Sequence, residues 1–134
     1  MKGQDSFDDN ELIEAYFRNA LTDSKDDLWA WREVDELVTD NPEKAWKIIL
    51  GLLERASSKL ALRHVAAGPL EDLTRRHGEK YVERLVEEAK HNTRLQYALG
   101  HIYLRDENQP TSSKIRELLD YYDVRTTDPL PDMD

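Results

Sequence analysis

Between Pro42 and Ala56 the chain carries Ala45, Trp46, Ile48, Ile49, Leu50, Leu52 and Leu53. At helical spacing these residues cover most of the circumference rather than one stripe, so the helix must be buried on more than one side. Its start is sharply marked. Asp40-Asn41-Pro42-Glu43 combines an asparagine cap, proline at the first helical position and glutamate in the first turn. Gly51 lowers helix propensity by about 1 kcal/mol relative to alanine, which predicts another helix crossing close to its backbone.

The segments available to wrap this rod are themselves helical in pattern. Leu12, Ile13, Tyr16, Phe17, Ala20 and Leu21 form one apolar face of a helix from about Asp8 to Leu21, with Ser6 or Asp8 as cap. A second helix spans about Lys25 to Thr39, with Leu28, Trp31, Val34, Leu37 and Val38 inward and Trp29 off that stripe. After Ser57-Ser58 a short helix runs from Lys59 to Ala67. Gly68-Pro69 then predicts a break, the glycine closing one helix in left-handed geometry and the proline opening the next. Glu71 and Asp72 fall in the first turn of that next helix, where its dipole favours carboxylates and where they can cap amides at the bend. It reaches His77 before Gly78. A sixth helix covers about Glu79 to Lys90, a seventh carries Leu95, Ala98, Leu99, Ile102 and Tyr103, and Ser112 or Ser113 caps an eighth beyond Pro110.

No stretch alternates with period two, and every gap is short. The fold class is therefore all-α: seven or eight short helices stacked as antiparallel hairpins, either a short HEAT-like solenoid or an irregular bundle. An offset of 36 residues lays Val34-Asp35-Glu36-Leu37 over Leu70-Glu71-Asp72-Leu73 and Pro42-Glu43-Lys44 over Gly78-Glu79-Lys80, a period typical of helical-hairpin repeats. Residues 1–125 read as one domain and residues 126–134, rich in Asp and Pro, as a disordered acidic tail.

Charge narrows the partners. Asp and Glu outnumber Lys and Arg by 13 to 5 in residues 1–44 and by 8 to 3 in residues 106–134, whereas residues 45–105 hold 11 cations and 7 anions. The formal charge of −9 repels nucleic acid, although Arg75, Arg76, Lys80 and Arg84 form a local basic patch; a basic protein partner fits the total better. The chain has no cysteine, which excludes disulfides, thiolate metal sites and cysteine nucleophiles and suits a reducing cytosol. Met1–Asp9 lacks the apolar core of a signal peptide, and the longest apolar run falls far short of the roughly 20 residues of a membrane span. A cytoplasmic location is expected.

Candidates for chemistry are sparse. Glu88 and His91 have the Glu-x-x-His spacing of di-iron bundles, but such sites need a second pair, and the chain holds none. The serines sit at helix starts and breaks, where they cap. The five glycines form neither a dinucleotide fingerprint nor a phosphate loop. No metal, cofactor or catalytic set is expected. The acidic pairs Asp26-Asp27, Asp35-Glu36, Glu71-Asp72 and Glu87-Glu88 read as solvated faces. Trp29 and Trp31, two apart on one helix, cannot both be buried on one face, and an exposed tryptophan flanked by Asp26, Asp27 and Glu33 has the composition of a binding hot spot.

The blocks Asn41-Pro42-Glu43-Lys44-Ala45-Trp46 and Ala66-Ala67-Gly68-Pro69-Leu70-Glu71-Asp72-Leu73, with Trp31, His77-Gly78 and Glu88-Ala89, resemble a family of small bacterial helical proteins classed as a domain of unknown function. The likeness spans roughly residues 10–122, and Thr74 departs from it where the family shows an apolar residue. It implies an all-helical bacterial cytoplasmic domain and brings no catalytic residue or substrate. The expectation is an acidic protein-binding module that presents Asp26, Asp27, Trp29, Trp31, Asp35, Glu36, Glu71 and Asp72, an immunity protein for a basic toxin or nuclease. The alternative is a small enzyme or regulatory domain using Glu71 and Asp72 with His101 or His64.

Overall fold

The computed structural model describes residues 8–104, 109–125 and 130. Among these residues the regular elements are all helical: α1 (Asp9–Thr22), a 3-10 turn (Lys25–Asp27), α2 (Leu28–Asp40), α3 (Pro42–Arg55), α4 (Lys59–Val65), a π-helical turn (Ala66–Leu70), α5 (Glu71–Ala89), α6 (Thr93–Leu99) and α7 (Pro110–Tyr121). Ser6 and the expected acidic tail lie outside the described residues, apart from Leu130, which packs half-buried against the core. None of the described helices is long and apolar enough to cross a membrane.

The rod beginning at Pro42 is the centre. Asn41 caps α3 by accepting from the Lys44 amide, and Ala45, Ile48, Ile49, Leu52 and Leu53 are wholly buried with Trp46 close behind. It touches α1, α2, α4, the π turn, α5 and α6. A solenoid unit meets only its sequence neighbours, so the architecture is the irregular bundle. Gly51 accommodates α1: a Cβ there would lie 2.8 Å from Ile13 Cδ1. Arg94, at the start of α6, closes the other end of α3 by donating to the carbonyls of Leu53, Glu54 and Ala56 at 2.8–2.9 Å.

The expected break at Gly68-Pro69 is absent. The backbone stays right-handed on both sides, no glycine has a positive φ, and the chain passes from α4 into α5 through one π turn. Proline lacks the N–H for an i→i−4 bond, and its ring would strike the carbonyl four residues back; a wider turn relieves both defects. The amide of Glu71 accordingly reaches the carbonyl of Ala66, five residues back. Ala66, Pro69 and Leu70 are buried, so a true loop here would strand backbone polar groups in the core. Gly68 serves close packing instead, with Tyr16 Oη 3.3 Å from where its Cβ would be. Counting α4, the π turn and α5 as one rod leaves six rods instead of seven or eight.

The chain does bend nearby, at His77, whose φ of −129° and ψ of 19° interrupt α5. His77 Nε2 lies 2.7 Å from the Val38 carbonyl; a carbonyl only accepts, so Nε2 carries the proton. The 36-residue echo thus aligns the α2–α3 corner at Asn41 with the interruption at His77, where the sequence places the end of one helix and the start of the next. Two other boundaries shift. The helix after Asn92 ends at Leu99, before Gly100, and α7 begins at Pro110 itself, which places Ser112 and Ser113 inside its first turn rather than at its cap.

Candidate functional site

The acidic face is built on α2 and the turn before it. Ala30, Val34 and Val38 form the buried stripe. Ala30 holds the inward position expected for Trp31, which lies about 100° further round and is 47% exposed. Trp29 is the half-buried one, packed against the core. Asp26 and Glu36 are exposed and Asp35 is half-exposed.

Asp27 is not on the open surface. It is 9% exposed and takes two hydrogen bonds of 3.0 Å from Arg18 Nε and Nη2, a bidentate bridge that ties the 3-10 turn to α1. Those bonds, with one from Ser24, hold its carboxyl below the usual range. Glu71 and Asp72 are also engaged. Glu71 Oε1 accepts from the Tyr103 amide at 2.8 Å, its other oxygen lies 3.8 Å from Arg75, and Asp72 pairs with Arg75. They therefore do not cap amides at a bend in their own helix. Glu71 instead anchors the strap that follows α6, 32 residues away.

The histidines are dispersed. The His101 ring lies tilted against that of Tyr97 with centroids 4.8 Å apart, and its Nε2 is buried without a hydrogen-bond partner among the described residues. Burial, and then the Arg63 charge, push its pKa down. Neither His101 nor His64 is among the partners that hold Glu71 and Asp72. Glu88 meets His91 at 3.8 Å on an exposed helix end, where Asn92 also donates to Glu88. Among the described residues no group of three His, Asp or Glu side chains is placed to hold a metal ion.

A second surface was only partly legible in the sequence. A cleft of about 660 Å³ opens between the kinked part of α5, the strap at Tyr103-Leu104 and the start of α7. Three cations of the basic patch, Arg75, Arg76 and Lys80, line it; Arg84 turns instead to Glu43 and lies over the Tyr81 ring. Tyr81 also donates to Glu43 at 2.8 Å, and this bond, after that of Arg84, holds the Glu43 carboxyl below the usual range. Thr74, the departure noted above, bonds back to the Leu70 carbonyl at 2.8 Å and lines the cleft, which suits a polar residue. Tyr103, Thr111 and Ser112 complete the wall. Periodicity placed Tyr103 inward, yet it is 69% exposed because α6 has already ended. The available signal was Gly100, a helix terminator three residues earlier.

Comparison with curated proteins and with solved structures yields no match. A family model does match, over residues 18–120, a span that contains α2, α3, the π turn and both walls of the cleft. The chain belongs to this family of unknown function, DUF6869.

Proposed function

We propose that the chain is an acidic helical protein-binding module that meets a basic partner on the outer face of α2. Trp31 is the anchor, with Asp26, Asp35 and Glu36 as a charged rim. One observation carries this reading: Trp31 is 47% exposed in a chain of formal charge −9, and the residue one helical turn along is Asp35. A large aromatic left in water beside carboxylates gives up burial energy within the monomer and is the usual make-up of an interface centre and its rim. Asp27 and Trp29 support this face from beneath, through Arg18 and the core. In its finer form, the partner is a basic toxin or nuclease and the chain is its immunity protein, the negative field raising the association rate.

The test is co-expression with the product of the gene next to its own, followed by calorimetry at rising salt. The expected result is an affinity that falls with salt and drops about tenfold or more on Trp31→Ala, as for an interface anchor, while the melting temperature stays unchanged. Recovery of no basic protein together with no toxin gene alongside would overturn the reading. So would binding indifferent to both Trp31 and salt.

A further inference from the structure

We propose that the cleft between α5 and α7 binds the phosphate group of a small phosphate monoester. Its volume of about 660 Å³ falls within the range of small-molecule sites, about 300–1,000 Å³. Of the cations on its α5 wall, Arg75 is already held by Glu71 and Asp72. Arg76 and Lys80 make no ion pair among the described residues, and both line the cleft with Glu79. They stand four residues apart, a spacing at which like charges repel along a helix. Glu79, three residues from Arg76, offsets part of that repulsion, and an anion seated between the two cations would offset the rest.

The facing wall suits the same ligand. Thr111 and Ser112 line it, at the N-terminal end of α7 where first-turn amides lack intrahelical acceptors and the dipole is positive. Gly78 sets this wall in place, since Thr111 Cγ2 lies 2.8 Å from where a Cβ would be. At the rim Tyr103 offers an exposed ring on which the organic part of an ester can stack, and its backbone is fixed by Glu71. Polyanions fit less well, because the chain's formal charge of −9 opposes each added phosphate.

The full chain, labelled for amide NMR, is titrated with adenosine 5′-monophosphate, inorganic phosphate, adenosine and sodium chloride. Saturable shifts of the Thr111 and Ser112 amides are expected with the monophosphate and with phosphate, and none with adenosine or with chloride at equal ionic strength. The exposed pair R76Q/K80Q should retain a native spectrum and weaken the monophosphate about tenfold or more, the scale of lost charge-assisted hydrogen bonds; R125Q, outside the cleft, should not. The proposal is overturned by absence of shifts at those amides, by shifts that chloride reproduces, or by affinity that survives the double substitution. A single-stranded oligonucleotide that binds through the same residues more tightly than the monophosphate would also overturn it, in favour of a polyanion.

Discussion

Gly78→Ala tests the packing that creates the cleft. The new Cβ would lie 2.8 Å from Thr111 Cγ2, 3.0 Å from its Oγ1 and 3.3 Å from its Cβ. Because the Thr111 Cβ is attached directly to the backbone, no rotamer clears all three contacts and α7 must move. Overpacking of this kind costs about 1–3 kcal/mol, and the better helix propensity of alanine returns about 1 kcal/mol, so a net loss near 1 kcal/mol is expected. Gly51→Ala is the control. There the clash is with the terminal methyl of Ile13 at 2.8 Å, while the next atom is 4.0 Å away, so a small rotation suffices and stability holds or rises. The sharper measurement is the double-mutant cycle with Thr111→Ala, which removes the two nearest atoms. In that background Gly78→Ala should be neutral or stabilising, a coupling of about 1–3 kcal/mol. Urea denaturation followed by helical circular dichroism reads all four variants. Coupling below about 0.5 kcal/mol, the level of independent sites, would refute the reasoning, as would a Gly78→Ala variant more stable than the parent.

Two further outcomes follow from burial and pairing. Trp46→Ala, at a position 8% exposed on the central rod, should cost about 3–5 kcal/mol, whereas Trp31→Ala should leave stability within about 0.5 kcal/mol; equal effects in thermal denaturation would contradict the placement of the two indoles. Asp27→Asn tests the bridge to Arg18. Because the folded pKa of Asp27 is depressed, its stabilisation is complete above the ordinary aspartate value of about 3.9 and is lost as pH falls through that value to the folded one. The melting-temperature gap between parent and Asp27→Asn should therefore be widest near neutrality and close in acid. A gap that does not change with pH would refute the assignment.

Local signals were legible wherever one residue and its immediate neighbours set the outcome. The Asn41 cap, Pro42 at the first position of α3, the Ser58 cap and the encircling apolar residues of α3 all stand where the sequence places them. Chain chemistry within one turn governs caps, and a helix apolar all round admits no arrangement but burial. The close approach at Gly51 was legible for the same reason, as a propensity defect that only packing explains.

Tertiary structure decided the rest. Gly68-Pro69 has the local chemistry of a break, yet burial of Ala66, Pro69 and Leu70 requires that every backbone group stay bonded, and a π turn is what the core permits. Which of Trp29 and Trp31 faces water depends on the neighbours around α2, not on spacing along it. Asp27 reads as a surface acid until Arg18, nine residues away, reaches it. The cleft joins the 71–80 stretch of α5 to Tyr103, Leu104, Gln109, Thr111 and Ser112, and no helical period connects segments so far apart. The sequence by itself determined the helices and the rod they enclose; contacts across the bundle chose which charges remain in water, because burial and ion pairing depend on distances that only the folded chain defines.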